Sequence, residues 1–193
     1  ELIRTHLRKN LDTDTEGPVM SVVVSILTNM SDSVDSNVLT RDGLINDGMQ
    51  NMLFEFRIIP LLLDLIQTVM ELVPRIDVVN YTYGPELMYF IRCSYRILRM
   101  MAKNNEKASR ALYGELDRLV YQLGYPFAVA DVISEIFAGT FDLIRKCEKE
   151  FIAKIWGLAK EQREPRYINF LCVLLEHEER PIKFNQDTII GVV

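Results

Sequence analysis

Apolar residues return at the spacing of an α-helical face along nearly the whole chain, and that restricts it to helix-on-helix packing. Leu87, Phe90, Ile91, Ser94, Tyr95, Leu98, Met101 and Ala102 share one such stripe. Asn104 or Asn105 caps the next helix, predicted as Lys107–Leu123, which keeps Leu112, Leu116, Leu119, Val120 and Leu123 together. Gly124 and Pro126 end it. Ala128–Phe137 follows, then the breaker Gly139 and a short piece, Phe141–Lys146. Phe151, Ile152, Ile155, Trp156, Leu158 and Ala159 mark a further helix. Glu164–Glu176 opens with Pro165 in its first turn, and Asn185–Val192 comes last.

Leu87–Gly124, Pro126–Gln162 and Glu164–Val193 each read as a helix pair. The period is roughly 35–40 residues, near that of armadillo and HEAT repeats. A lone pair cannot bury both of its apolar stripes. Pairs stacked side by side can, so the predicted fold class is all-α, an armadillo/HEAT-like helical-repeat solenoid. The amino acids themselves do not repeat, and the expectation rests on pattern.

The first third is less regular. Val19–Met30 reads as one helix and Ser31–Asn37 as a polar loop. Arg41–Glu55 and Ile58–Leu72 form a pair, with Pro60 at the start of the second helix. Pro74–Pro85 reads as a linker, and no strand-period segment exceeds a few residues. The expected organisation is an N-terminal helical segment over residues 1–40 and a solenoid over residues 41–193. The chain starts at Glu1 and stops on an apolar Gly-Val-Val, which reads as a fragment of a much larger protein.

Composition narrows the function. Of 193 residues, 49% are hydrophobic, enough for a sizeable core. A formal charge of −5 disfavours nucleic acid as a partner. Cys93, Cys147 and Cys172 each fall in an apolar helical pattern, which fits reduced, buried thiols better than a disulfide framework. The longest apolar run, Ile58–Leu63, stops at Asp64, far short of the ~18 residues a membrane span needs.

Two stretches carry a more specific signal. One is Ser94–Tyr125, with Tyr95, Arg96, Leu98 and Arg99 in a Tyr-Arg-x-Leu-Arg run. The other is Arg163–Val193, which opens Arg-Glu-Pro-Arg-Tyr and later carries Gln186–Asp187. With Gln50–Gln67, these blocks resemble the RIH domain, the homology domain shared by ryanodine receptors and inositol trisphosphate receptors. The resemblance runs from roughly Arg41 to Val193. It implies a cytosolic, armadillo-like module of an intracellular Ca²⁺-release channel, on the cytosolic face of the endoplasmic or sarcoplasmic reticulum. The implied partners are neighbouring domains of the same channel and adjacent subunits. The implied role is to pass ligand-induced movement toward a distant pore, with no enzyme activity and no cofactor.

In inositol trisphosphate receptors one copy of this domain forms half of the ligand cleft, using converging cations. In an ungapped register its helical basic positions fall on Asp47, Asn51 and Phe54, and its Tyr-Arg-Lys triplet on Asn105, Glu106 and Lys107. Only Lys107 matches. A polyanion needs several cations, and Asp47 and Glu106 would repel it. Inositol trisphosphate is therefore not an expected ligand. The alternatives are a half-cleft for an inositol phosphate that uses Lys107 with the nearby basic residues Arg92, Arg96, Arg99 and Lys103, or an unrelated armadillo-like adaptor that grips peptides.

Other constellations are weaker. Arg92, Arg96, Arg99 and Lys103 form one basic stripe opposite the Ile91/Tyr95/Leu98 face. It reads first as a solvated ridge or a groove helix paired with carboxylates, and second as a contact for an acidic partner. Asp12–Gly17 starts like a Ca²⁺ loop, but the twelfth position is Val23 where a bidentate Glu is needed. His6 and His177 are too far apart for zinc, and no metal site is expected. Trp156 reads as core, and Glu176–Glu179 as a solvated turn. Asn29-Met30-Ser31 and Asn80-Tyr81-Thr82 fit the glycosylation sequon by chance.

Overall fold

The structure is a computed structural model that describes residues 25–26, 28–29, 47–72, 84–123, 128–177 and 180–191. Asp12–Gly17, Ser31–Asn37 and the Gly124–Pro126 stop lie outside the described residues. The chain divides into two compact units, Glu1–Met100 and Met101–Val193. Among the described residues it is helical apart from one short hairpin.

In the first unit, α1 (Asp47–Glu55) packs on α2 (Ile58–Leu72), and α3 (Gly84–Ala102) supplies the rest, save its last two residues. Pro60 sits in the first turn of α2, where the missing N–H leaves no helical bond unmade. The corner before it turns on Arg57, at φ 53°, whose N–H bonds back to Phe54. Leu62, Leu63, Ile66 and Val69 carry the buried stripe of α2. Phe90, Ile91, Ile97, Leu98 and a fully buried Tyr95 carry that of α3. The Gln50 amide donates to the Met100 carbonyl at 2.6 Å, tying α1 to α3. The helix α3 begins at Gly84, inside the stretch read as a linker.

The second unit opens with a left-handed Asn104 (φ 55°) and then Asn105, whose side chain accepts from the Ala108 N–H at 3.0 Å. That is the cap the asparagine pair announces. The expected Lys107–Leu123 helix is instead two, α4 (Glu106–Tyr113) and α5 (Leu116–Tyr121). At the break, Gly114 closes α4 and the Glu115 N–H tightens onto Leu112 in a three-residue bond. Glycine has little helix propensity, so the stripe bends there. Next come α6 (Val129–Ala138), α7 (Phe141–Ile144), α8 (Lys149–Gln162), α9 (Pro165–Leu175) and α10 (Lys183–Ile190).

Within this unit α6 touches α4, α5, α7 and α9, while α9 also touches α8 and α10. The helix α8 packs on α10. First helices of successive pairs thus meet (α6 on α9), and so do second helices (α8 on α10). The core is aromatic. Phe137 on α6 meets Tyr113 edge-on at 5.9 Å, Phe151 stacked at 6.1 Å and Phe170 at 5.6 Å. Phe151 and Phe170 are 5.6 Å apart. Four helices are joined through that cluster.

The region read as a solvated turn after α9 is a minimal antiparallel hairpin, β1 (Glu176–His177) with β2 (Arg180–Pro181). The His177 ring lies 5.4 Å from Phe141. Past it, the Ile182 N–H bonds the Leu175 carbonyl at 2.8 Å. The buried Asn185 then donates to the carbonyls of Ile144 (3.2 Å) and Leu174 (2.9 Å), pinning α10 against α7 and α9.

Candidate functional site

The arginine stripe follows from helical period. Steps of four and three put Arg92, Arg96 and Arg99 on one side of α3, and all three are exposed. Ile91, Tyr95 and Leu98 on the other side are buried. Burial pushes the Tyr95 phenol far above its usual pKa, so it stays neutral. Lys103 follows the end of α3, half-buried, and belongs to the second unit.

Lys107 is exposed in the first turn of α4, beside Asn105 and Glu106. Those neighbours are committed elsewhere. Asn105 caps the helix, and Glu106 is paired with Arg110 at 2.7 Å. Arg110 also reaches Asp142 at 3.5 Å. Asp47 and Asn51 are exposed on α1, and Phe54 is half-buried.

Sequence reasoning passed over a cavity of about 400 Å³ in the second unit, walled by Tyr113, Val120, Cys147, Phe151 and Lys154. The Lys154 ammonium spans to the Val120 carbonyl at 3.0 Å. Burial, reinforced by Glu148, pushes the Cys147 thiol up to about 12. Burial likewise raises the Tyr113 phenol, helped by Cys147 and Glu148. Both groups are held protonated, and a protonated thiol is no nucleophile. Among the described residues no group of three His, Cys, Asp or Glu side chains could hold a metal ion. None of the described helices is long and apolar enough to cross a membrane.

The family model of the RIH domain matches residues 19–193. This chain belongs to the RIH-domain family. No curated protein matches it. The RIH match starts at residue 19, within the segment 1–40 that the sequence sets apart. RIH domains are parts of channel receptors and not a known enzyme family, which agrees with the resemblance of Ser94–Tyr125 and Arg163–Val193.

The thiols of this RIH domain differ from the expectation of three buried cysteines. Cys93 and Cys147 are buried, but Cys172 is exposed. On α9 the buried stripe is Tyr167, Phe170, Leu171 and Leu174, and Cys172 faces away from it. Trp156, expected in the core, is only half-buried, with the Lys160 ammonium 5.6 Å from its ring. With a pKa of about 12, Cys147 is on the order of one ten-thousandth thiolate at pH 8. Alkylation with iodoacetamide at that pH, followed by peptide mapping, should therefore modify Cys172 at least a hundredfold faster than Cys147. Comparable rates at the two would contradict the packing around α7.

Proposed function

We propose that this RIH domain is a cytosolic helical-solenoid module of an inositol trisphosphate receptor or ryanodine receptor type Ca²⁺-release channel. It carries ligand-induced movement between neighbouring domains and adjacent subunits toward the pore. The family match over residues 19–193 carries the reading. The packing of α6 on α9 and α8 on α10 supports the repeat, because successive pairs cover each other's apolar faces. Elements packed in this way move as rigid bodies, which suits relay. In this reading residues 1–40 lead into the solenoid of residues 41–193, and the parent lies at the endoplasmic or sarcoplasmic reticulum membrane.

The arginine face of α3 is the contact we assign to an acidic surface of a neighbouring domain. Replacing Arg92, Arg96 and Arg99 together by Gln should leave the fold intact with the melting temperature lowered by no more than about 10 °C, since each exposed change is worth about 0.5 kcal/mol or less and each kcal/mol moves the midpoint by roughly 4–8 °C. The same changes in the parent channel should weaken cross-linking to the neighbouring domain and blunt ligand-evoked Ca²⁺ release. Undiminished cross-linking with normal release would remove the assignment.

Inositol phosphate capture is not part of this reading, because Lys107 stands beside a committed Glu106 and a capping Asn105. Calorimetric titration of inositol trisphosphate into the chain joined to its preceding segment in the parent should give no saturable heat at micromolar concentration. Saturable heat that Lys107→Ala abolishes would replace the relay reading with a half-cleft.

A further inference from the structure

The corner between α8 and α9 holds an open cleft of about 540 Å³, lined by Ala159, Lys160, Arg163, Pro165, Ile168 and Asn169, with Glu164 beside them. Its chemistry is divided. Lys160 and Arg163 are exposed cations, and neither forms an ion pair among the described residues. Glu164, the one acid, is engaged by Arg166 at 3.3 Å. The same cleft carries apolar surface: Pro165 is exposed and Ile168 is 43% exposed, a large aliphatic surface left in water. Asn169 adds an exposed amide that can meet a peptide backbone.

The backbone fixes where that cation stands. Arg163 holds φ 53°, ψ 31°, the left-handed conformation at the end of α8, as Arg57 and Asn104 do at other corners. Glycine suits that position best, and any residue with a Cβ is strained there.

We propose that this cleft docks an acidic peptide segment from another protein, one that sets an aliphatic or aromatic side chain beside a carboxylate. The apolar side chain lies on Pro165 and Ile168, and the carboxylate meets Arg163 and Lys160. Arginine offers a carboxylate two parallel donors, and an exposed cation pair in one cleft with apolar surface selects against basic segments. The inference stands on the second unit alone and does not rest on the channel reading.

The protein contains its own reporter. Trp156 is the single tryptophan, and the Lys160 ammonium lies 5.6 Å from its ring. A ligand that draws Lys160 toward a carboxylate disturbs that contact and changes the indole emission. The test is selection of displayed ten-residue peptides on the immobilised 193-residue chain, then titration of synthetic, tryptophan-free winners by Trp156 fluorescence. Enriched sequences should carry Asp or Glu within two positions of a Leu, Ile, Met or Phe, and should bind more weakly as salt rises. Lys160→Glu with Arg163→Glu should weaken them tenfold or more. Arg163→Gly should raise the melting temperature yet weaken binding several-fold, a split that a merely structural corner would not show. No acidic consensus, indifference to the charge reversal, or binding of the chain to phosphatidylserine vesicles in place of peptides would each overturn the proposal.

Discussion

Phe137→Ala should unfold the second unit at temperatures where the parent chain is intact, with the melting midpoint lower by on the order of 15–30 °C. Phe137 is fully buried, and three other rings from α4, α8 and α9 lie within 6.1 Å of it. Truncating a buried Phe costs about 3–5 kcal/mol, part for transfer and part for the cavity left behind. In a unit of this size each kcal/mol moves the midpoint by roughly 4–8 °C. The loss falls at the high end because the surviving rings come from separate helices and cannot all close on one void. Circular dichroism melts check this, with Phe184→Ala as the contrast. Phe184 is 66% exposed on α10, so its truncation should stay within about 0.5 kcal/mol. A Phe137→Ala chain that melts with the parent would mean that the aromatic cluster does not hold these helices together.

Asn185→Asp should cost about 3–5 kcal/mol at neutral pH, although the side chains have the same shape. The Asn185 amide is buried and points both N–H groups at carbonyls, those of Ile144 and Leu174. A carboxylate there can only accept, so it faces two acceptors with nothing to donate. An uncompensated charge also enters the interior. Its pKa must therefore rise in the folded state. The sign of the pH dependence follows. The penalty is absent below the unfolded pKa of about 4, grows as pH rises through it, and levels off above the raised folded value. Relative to the parent chain at each pH, the variant should recover most of its deficit toward pH 4. A residual deficit of about 1–2 kcal/mol remains, since a carboxylic acid has one donor where the amide had two. Denaturant melts of both chains across pH 4–8 measure the difference, and a deficit that does not shrink toward acid would refute the two-carbonyl clamp.

Much of the local structure could be read directly. The Pro165 start of α9, the Pro60 start of α2 and the Asn105 cap are short-range devices, and each acts through backbone groups a few residues away. The RIH resemblance was equally local, carried by blocks such as Tyr95–Arg99 and Arg163–Tyr167. Misreadings gathered where two apolar faces compete. Ile168 and Cys172 extend the hydrophobic run of α9, yet the buried stripe passes through Tyr167, Phe170, Leu171 and Leu174. Hydropathy marks both faces as eligible for cover and does not say which one a neighbour reaches. The Lys107–Leu123 stripe kept its period through Gly114, which hid the break between α4 and α5. Asn185 looked like an ordinary polar residue at a helix start, because its carbonyl partners lie on α7 and α9.

Helical class, several helix starts and family membership follow from the order of residues, because hydrogen bonds, caps and turn chemistry act within a few positions of the chain. The gathering of Tyr113, Phe137, Phe151 and Phe170, the two-carbonyl hold of Asn185 and the cleft at Arg163 belong to the assembled fold. They depend on which helix faces meet across long separations. That choice is made by steric fit and by satisfying buried polar groups, and no periodic pattern encodes either.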